Sequence, residues 1–163
     1  MSKPQHYDFR ILGSGESGKY LAWTMAKAGH RVAVFERRWV GGSCPNIACL
    51  PSKNVIYSGH VASLFRRGQE FGLAAGPVSV DMAAVRARKR KMVDELIAVH
   101  RKNYADSGAE LIMGEGRFVA PRTIEVQLQQ GGTRVLSGER VYLNLGTRAA
   151  IPDVPGLRQS SPL

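Results

Sequence analysis

The sequence predicts an α/β fold, a doubly wound parallel sheet carrying a small antiparallel β-meander. Three observations lead there: a strand, glycine-rich turn and helix in the first 29 residues; a second strand directly after them; and a β-rich final third with its own turn signals. At 163 residues the chain suits one domain and can bury a substantial core.

The elements follow in order. Tyr7 to Leu12 is a short β-type run. It is followed by Gly13-Ser14-Gly15-Glu16-Ser17-Gly18 and a helical stretch through Tyr20, Leu21, Trp23, Thr24 and Met25. Gly29 ends this helix as a C′ glycine does, and Arg31 to Phe35 is the second strand. Such a βαβ unit implies parallel strands with a right-handed crossover. After Glu36 the chain is irregular through the cysteine segment and turns helical from about Asn54 to Arg67. Asp81 reads as the N-cap of a long helix that Ser107-Gly108 stop, with Lys89 interrupting its apolar stripe. The remaining runs are 110–113, 117–119, 123–128, 133–136 and 141–145, three of which read as an antiparallel meander around the Gln130-Gly131-Gly132 turn.

Composition narrows the function classes. With 44% hydrophobic and 22% charged residues the chain reads as globular, and no segment approaches the roughly 20 apolar residues of a membrane span. The start, Met1 to Gln5, lacks a signal-peptide pattern, so a cytoplasmic setting is the expectation. The net charge of +10 raises nucleic-acid binding as a possibility. However, its densest run, Arg86 to Lys91, sits inside the long helix, where such charges usually form a solvated face, and base-stacking aromatics are missing nearby. Nucleic acid is therefore not an expected partner.

Two motifs carry chemistry. The glycine cluster obeys G-x-G-x-x-G between a strand and a helix, with a carboxylate, Glu36, about 20 residues on at the end of the second strand. Gly13 permits a tight turn, Gly15 lets a pyrophosphate approach the backbone, and Gly18 permits close helix–strand packing. The helix start supplies orphan N–H donors, and the acid would accept the ribose hydroxyls of an adenine dinucleotide. This makes the fold Rossmann-like.

The second motif is Gly41-Gly42-Ser43-Cys44-Pro45-Asn46-Ile47-Ala48-Cys49-Leu50-Pro51-Ser52-Lys53, which holds the only two cysteines. A stabilising disulfide, a metal site and a redox dithiol are the alternatives. A metal would need two further ligands, and His6, His30, His60 and His100 show no ligand spacing, so none is expected. Residues five apart on a regular helix exceed the roughly 7 Å Cα limit of a disulfide, which places Cys44 at or before a helix start and Cys49 in its first turns. That position is expected to lower the thiol pKa through the helix dipole. Lys53 follows one turn after Cys49, adding a cation on the same face.

The glycine turn, Glu36 and the cysteine motif together resemble the class I pyridine nucleotide-disulfide oxidoreductases, the family of mercuric reductase, dihydrolipoamide dehydrogenase and glutathione reductase. Gly114 to Phe118 and Asn144 to Leu157 are similar to later stretches of the same FAD domain, so the resemblance covers nearly the whole chain, and its wording is nearest to mercuric reductase-like members.

The resemblance implies electron flow from NAD(P)H through FAD and the dithiol to a disulfide or a metal ion. Cys49 would face the flavin, Cys44 would attack substrate, and Lys53 would lie near flavin N5. The implied cofactor-binding set is Gly13, Ser14, Gly15, Glu16, Ser17, Gly18, Glu36, Arg37, Gly42, Ser43, Lys53, Gly116, Gly146 and Thr147. Residues 1–150 would form the FAD-binding domain with its dithiol, and 151–163 a tail where the family's NAD(P)H domain begins. A homodimer is implied for the full-length protein. The family's second glycine-rich turn and interface domain do not occur in these 163 residues. The chain therefore reads as a truncated N-terminal part, not competent alone, or alternatively as a non-catalytic FAD-binding or interaction fragment.

Pro45 and Ala48 are mild departures from the family pattern. Arg10 is a larger one, because a cation in the middle of a strand buried on both faces costs several kcal/mol unless partnered. It is expected either to reach solvent or to impair folding.

Overall fold

A computed structural model describes residues 4–74, 76–148 and 150–160. The leader reading at Met1 to Lys3, Ala149 within the second similar stretch and the last three residues of the 151–163 tail lie outside these. Strand β1 (Gln5–Leu12) leads to helix α1 (Glu16–Lys27) and strand β2 (Val32–Glu36). A short helix α2 (Ser43–Asn46), helix α3 (Cys49–Arg66) and helix α4 (Met82–Ser107) follow, and then β3 (Glu110–Ala120), β4 (Thr123–Leu128) and β5 (Thr133–Leu143).

β1 pairs in parallel with β2, Phe9 opposite Val32, and with β5, Leu12 opposite Leu143. β2 pairs in parallel with β3, Glu36 opposite Met113. β4 runs antiparallel to both β3 and β5. The five strands thus close in the order β1-β2-β3-β4-β5.

The α/β class, the parallel βαβ unit and the antiparallel meander agree with the sequence reading. The open sheet of the doubly wound arrangement is replaced by a closed ring of five strands, because the meander is continuous with the parallel strands. β3 pairs with β2 through 110–113 and with β4 through 114–120, while β5 pairs with β4 through 133–137 and with β1 through 136–143. The runs read separately as 110–113 and 117–119 are therefore one strand, and so are 133–136 and 141–145 as far as Leu143. The glycines that suggested breaks mark close backbone approach instead: a Cβ on Gly138 would lie 1.8 Å from the Tyr7 carbonyl oxygen.

The two faces of the parallel strands bury different partners. One cluster joins Phe9, Ile11, Val32 and Val34 to Ala22 and Trp23 of α1 and Tyr104 of α4. The other joins Leu12, Ala33 and Phe35 to Ile112, Ile124, Val126 and Leu136 and contains no helical residue. Helices cover one face and the meander covers the other. The burial follows from alternation along the strands, which carries successive side chains to opposite faces.

Helix boundaries reward the local chemistry. Asp81 caps α4 as expected, its carboxylate accepting from the N–H groups of Ala83 (2.8 Å) and Ala84 (3.0 Å), and Gly108 stops the helix with φ +78°. α3 begins at Cys49, five residues before the expected Asn54. Pro51 in its first turn costs nothing there, because that N–H would have no intrahelical acceptor. Of α4 only His100, Tyr104 and Ser107 are buried, so the basic run 86–91 lies beyond the core.

Arg10 neither reaches solvent nor lacks partners. Fully buried under the meander, its guanidinium donates to the carbonyls of Arg122, Leu136 and Gly138, the last at 2.6 Å. One acceptor lies in the β3–β4 turn, where Arg122 takes φ +53°, and the other two lie where β5 passes from β4 to β1. Burial and the neighbouring Arg122 charge push the Arg10 pKa down. Arg10→Ala strands these carbonyls and opens a void, and is expected to lower unfolding stability by about 3 kcal/mol, measured as a fall in the urea midpoint at constant m-value.

Candidate functional site

The site gathers at the C-terminal ends of the parallel strands. Leu12 ends β1, and the chain turns at Gly13 (φ +99°), whose N–H donates to the Phe35 carbonyl at 2.8 Å. Asn144, just past β5, clasps this turn: its N–H donates to the Leu12 carbonyl at 2.8 Å and its side-chain amide to the Gly13 carbonyl at 3.1 Å. A Cβ at Gly13 would stand 2.1 Å from the Asn144 carbonyl oxygen, and one at Gly18 2.5 Å from both the Asn144 amide nitrogen and the Gly13 oxygen. Gly15 is the N-cap of α1 in extended conformation, and no side chain caps the helix. The first-turn N–H groups thus point outward without a side-chain acceptor, the condition that suits an anion.

Glu36 stands at the end of β2 as the spacing predicts, but its carboxylate is turned onto its own chain. One oxygen accepts from the Ser14 N–H (3.0 Å) and hydroxyl (2.7 Å), the other from the N–H groups of Arg38 (2.8 Å) and Trp39 (3.0 Å). A carboxylate offers about four lone-pair sites, so a ribose hydroxyl has to share or displace one of these donors. Arg37 is exposed and lies 3.3 Å from Glu115. Both line a cavity of about 370 Å³ with Arg38, Gln127, Leu128 and Gln129. Gly116 lies in β3 next to this edge, opposite Val126. Gly146 (φ +72°) and Thr147 follow β5 on an exposed segment without regular structure, two and three residues after Asn144.

The cysteine loop lies directly on the glycine turn. A Cβ at Gly42 (φ +74°) would meet the Gly15 Cα at 2.7 Å. The Gly41 N–H donates to the Ser14 hydroxyl at 2.9 Å, and the Asn46 amide closes the loop onto the carbonyls of Val40 (3.0 Å) and Gly42 (2.7 Å). Ser43 and Cys44 open α2, and Cys49 is the first residue of α3. The cysteines fall at two successive helix starts, as the distance argument requires. Both thiols are free, Cys44 half-buried and Cys49 exposed. Lys53 is exposed one turn along α3.

The expected lowering of the thiol pKa does not hold for Cys44. Its thiol is pushed up, first by a hydrogen bond with Cys49, then by burial and by the charges of Cys49 and Glu16, with Lys19 acting in the opposite sense. α2 is a single turn, so its dipole contributes little against these neighbours.

Sequence reasoning missed three residues here: Asn144, Lys19 and His100. Asn144 was legible as a polar residue ending an apolar strand. Lys19 and His100 lie 81 positions apart and meet only through the docking of α4 on α1, with Lys19 Nζ 3.1 Å from His100 Nε2.

A glycine turn at a helix start, with a free dithiol seated on it, defines an α/β protein of the thiol-redox class. A family model described as pyridine nucleotide-disulphide oxidoreductase matches residues 7–162, and the chain belongs to that family. It is 32% identical over 160 residues to a mercuric reductase of Acidithiobacillus ferrooxidans, covering 96% of this chain and 29% of the relative. It is 33% identical over 154 residues to a mercuric reductase of Shigella flexneri, covering 92% of this chain and 27% of the relative. Among solved structures, the Cu(II) complex of the HOCl-induced flavoprotein disulfide reductase RclA from Escherichia coli superposes with a TM-score of 0.74 at 31% identity, covering 96% of this chain and 31% of that one. The chain spans about three tenths of the length of these relatives. Among the described residues no helix is long and apolar enough to cross a membrane.

Burial and the Lys19 charge hold the His100 pKa below its ordinary 6.5, partly opposed by Glu16. The unfolded chain then binds a proton at a higher pH than the folded one. Stability from this group is complete above pH 6.5 and falls as pH drops towards the folded-state value, by at most about 1.4 kcal/mol per pH unit. Urea midpoints between pH 8 and pH 5 are expected to show this decline, and His100→Leu to flatten it.

Proposed function

We propose that this chain is the FAD-binding and dithiol-bearing first part of an NAD(P)H-dependent flavoprotein reductase acting on a disulfide or a metal ion, as mercuric reductases do. The observation that carries this reading is a pair of free thiols at two successive helix starts, in a loop whose Gly42 rests on the uncapped start of α1, supported by membership of the family.

Bound FAD would supply two-electron transfer to the oxidised dithiol. The chain's own residues then have definite tasks. The N–H groups from Gly15 to Gly18 would hold the pyrophosphate on the turn that Gly13 makes, with Ser14, Glu16 and Ser17 bordering it. Glu36 shares a lone pair with the ribose, beside Arg37. Gly42, Ser43, Lys53, Gly116, Gly146 and Thr147 line the cofactor. Cys49, the more exposed thiol, faces the flavin, and Cys44 receives the substrate. When substrate leaves reduced, two electrons have passed from the thiol pair as the Cys44–Cys49 bond forms; the two protons go to the two product thiols when a disulfide is reduced, and to solvent when a metal ion is.

Residues 1–150 form the cofactor portion in this reading, and 151–163 lead towards the NAD(P)H domain. The sheet is Rossmann-like in this reading through its β1-α1-β2 unit with the glycine turn. One observation favours the second reading, a non-catalytic FAD-binding or interaction fragment: Ile56, Tyr57 and Phe65 stand exposed at several positions around α3, apolar side chains that another polypeptide could cover.

Titrating FAD into the purified chain is expected to quench flavin fluorescence at one site per chain, and Gly13→Ala to abolish binding. Mild oxidation should remove both titratable thiols with no change in mass beyond two hydrogens. In the complete protein, Cys49→Ala should lower turnover by about a thousandfold or more; retained turnover, or an oxidised product that is only cross-linked between chains, sinks the reading.

A further inference from the structure

The face that α1 buries carries Gly18, Lys19, Ala22 and Trp23. Lys19 is only 3% exposed there, and burying an ammonium is costly unless it is partnered. An apolar side chain at this position would cover the same face without that cost, so the charge calls for its own account. Helical side chains tilt towards the N-terminus, and Lys19 reaches back one turn to place Nζ 2.6 Å from Glu16 Oε1. From the other side Nζ lies 3.1 Å from Nε2 of His100, which is itself buried on α4. An ammonium has donors only, so Nε2 accepts; His100, kept neutral by burial, directs the lysine without adding a charge.

Glu16 is the first residue of α1, at the helix start that no side chain caps. Two carboxylates stand at this turn. Glu36 is met by four donors, from Ser14, Arg38 and Trp39, whereas among the described residues Glu16 is met by Lys19 alone. A carboxylate in the first turn of a helix draws on the same positive field that an anion outside the helix start would use, and it repels that anion. We propose that Lys19 neutralises Glu16 so that the start of α1 accepts the pyrophosphate of FAD, with His100 holding the ammonium in place. Lys19 is thus a positioning residue that acts on the cofactor through Glu16, and its burial keeps the pair closed on the side away from solvent.

This proposal rests on the reading of the chain as an FAD-binding part. FAD is titrated into the purified 163-residue chain and its variants, and dissociation constants are read from flavin fluorescence at low and at high salt. Lys19→Met leaves the turn with an extra negative charge, Glu16→Gln with an extra positive one, and the double variant with neither. At low salt Lys19→Met is expected to weaken binding by about fivefold or more, Glu16→Gln to tighten it by a similar factor, and the double variant to return to within about twofold of the parent. High salt should shrink these differences. A lysine that only packs leaves the double variant as weak as Lys19→Met; that result, or a Glu16→Gln chain that binds no tighter than the parent, overturns the proposal. If Lys19→Met does not fold, judged by circular dichroism, Glu16→Gln decides by the same criterion. A parent chain that binds no FAD overturns the functional reading and this proposal with it, whereas a parent that binds, with the variants out of this order, overturns the proposal alone.

Discussion

The Glu36 carboxylate is the point on which the site's geometry depends. Its four accepted hydrogen bonds fasten two segments that are separate in sequence, the glycine turn through Ser14 and the start of the cysteine loop through Arg38 and Trp39. Ser14 passes the constraint on by accepting from Gly41, and Gly42 then rests on Gly15. Each bond is charge-assisted or buried, where a hydrogen bond is worth more and its loss costs more than at the surface. The dithiol therefore has a fixed position relative to the start of α1, although neither cysteine belongs to the sheet.

The sheet supplies the rest of that rigidity. Asn144 draws the end of β5 against the Gly13 turn, so the second parallel neighbour of β1 is part of the site and not merely a support. On the opposite face Arg10 links β1 to carbonyls of the β3–β4 turn and of β5. One buried guanidinium thereby fastens the parallel strands to the meander that covers them.

Much of this was legible in the sequence because it depends on local chemistry. The glycine spacing, Glu36 at the end of β2, the Asp81 cap and the Gly108 stop each reflect a steric or hydrogen-bonding requirement satisfied within a few residues. What could not be read depends on distant segments meeting. Gly114 and Gly138 have the composition of breaks, yet they lie inside long strands because neighbouring backbones pass too close for a side chain. Arg10 contradicts the strand pattern until carbonyls 112 to 128 positions away are brought beside it. The Cys44 thiol was misjudged for the same reason: the helix start is visible in sequence, whereas the surrounding charges on α1 are not.

Closure of the strands has a further consequence for association. Every strand has two hydrogen-bonded neighbours, β1 joining β2 and β5 as β4 joins β3 and β5. Among the described residues no strand therefore lies wholly at a sheet edge, the place where a foreign strand is usually added in edge-to-edge aggregation. Exposed apolar side chains such as Ile56, Tyr57 and Phe65 around α3 are then groups through which another polypeptide could be recognised. The same ring of backbone bonds that holds the glycine turn in place therefore also decides which face of the molecule can be sociable.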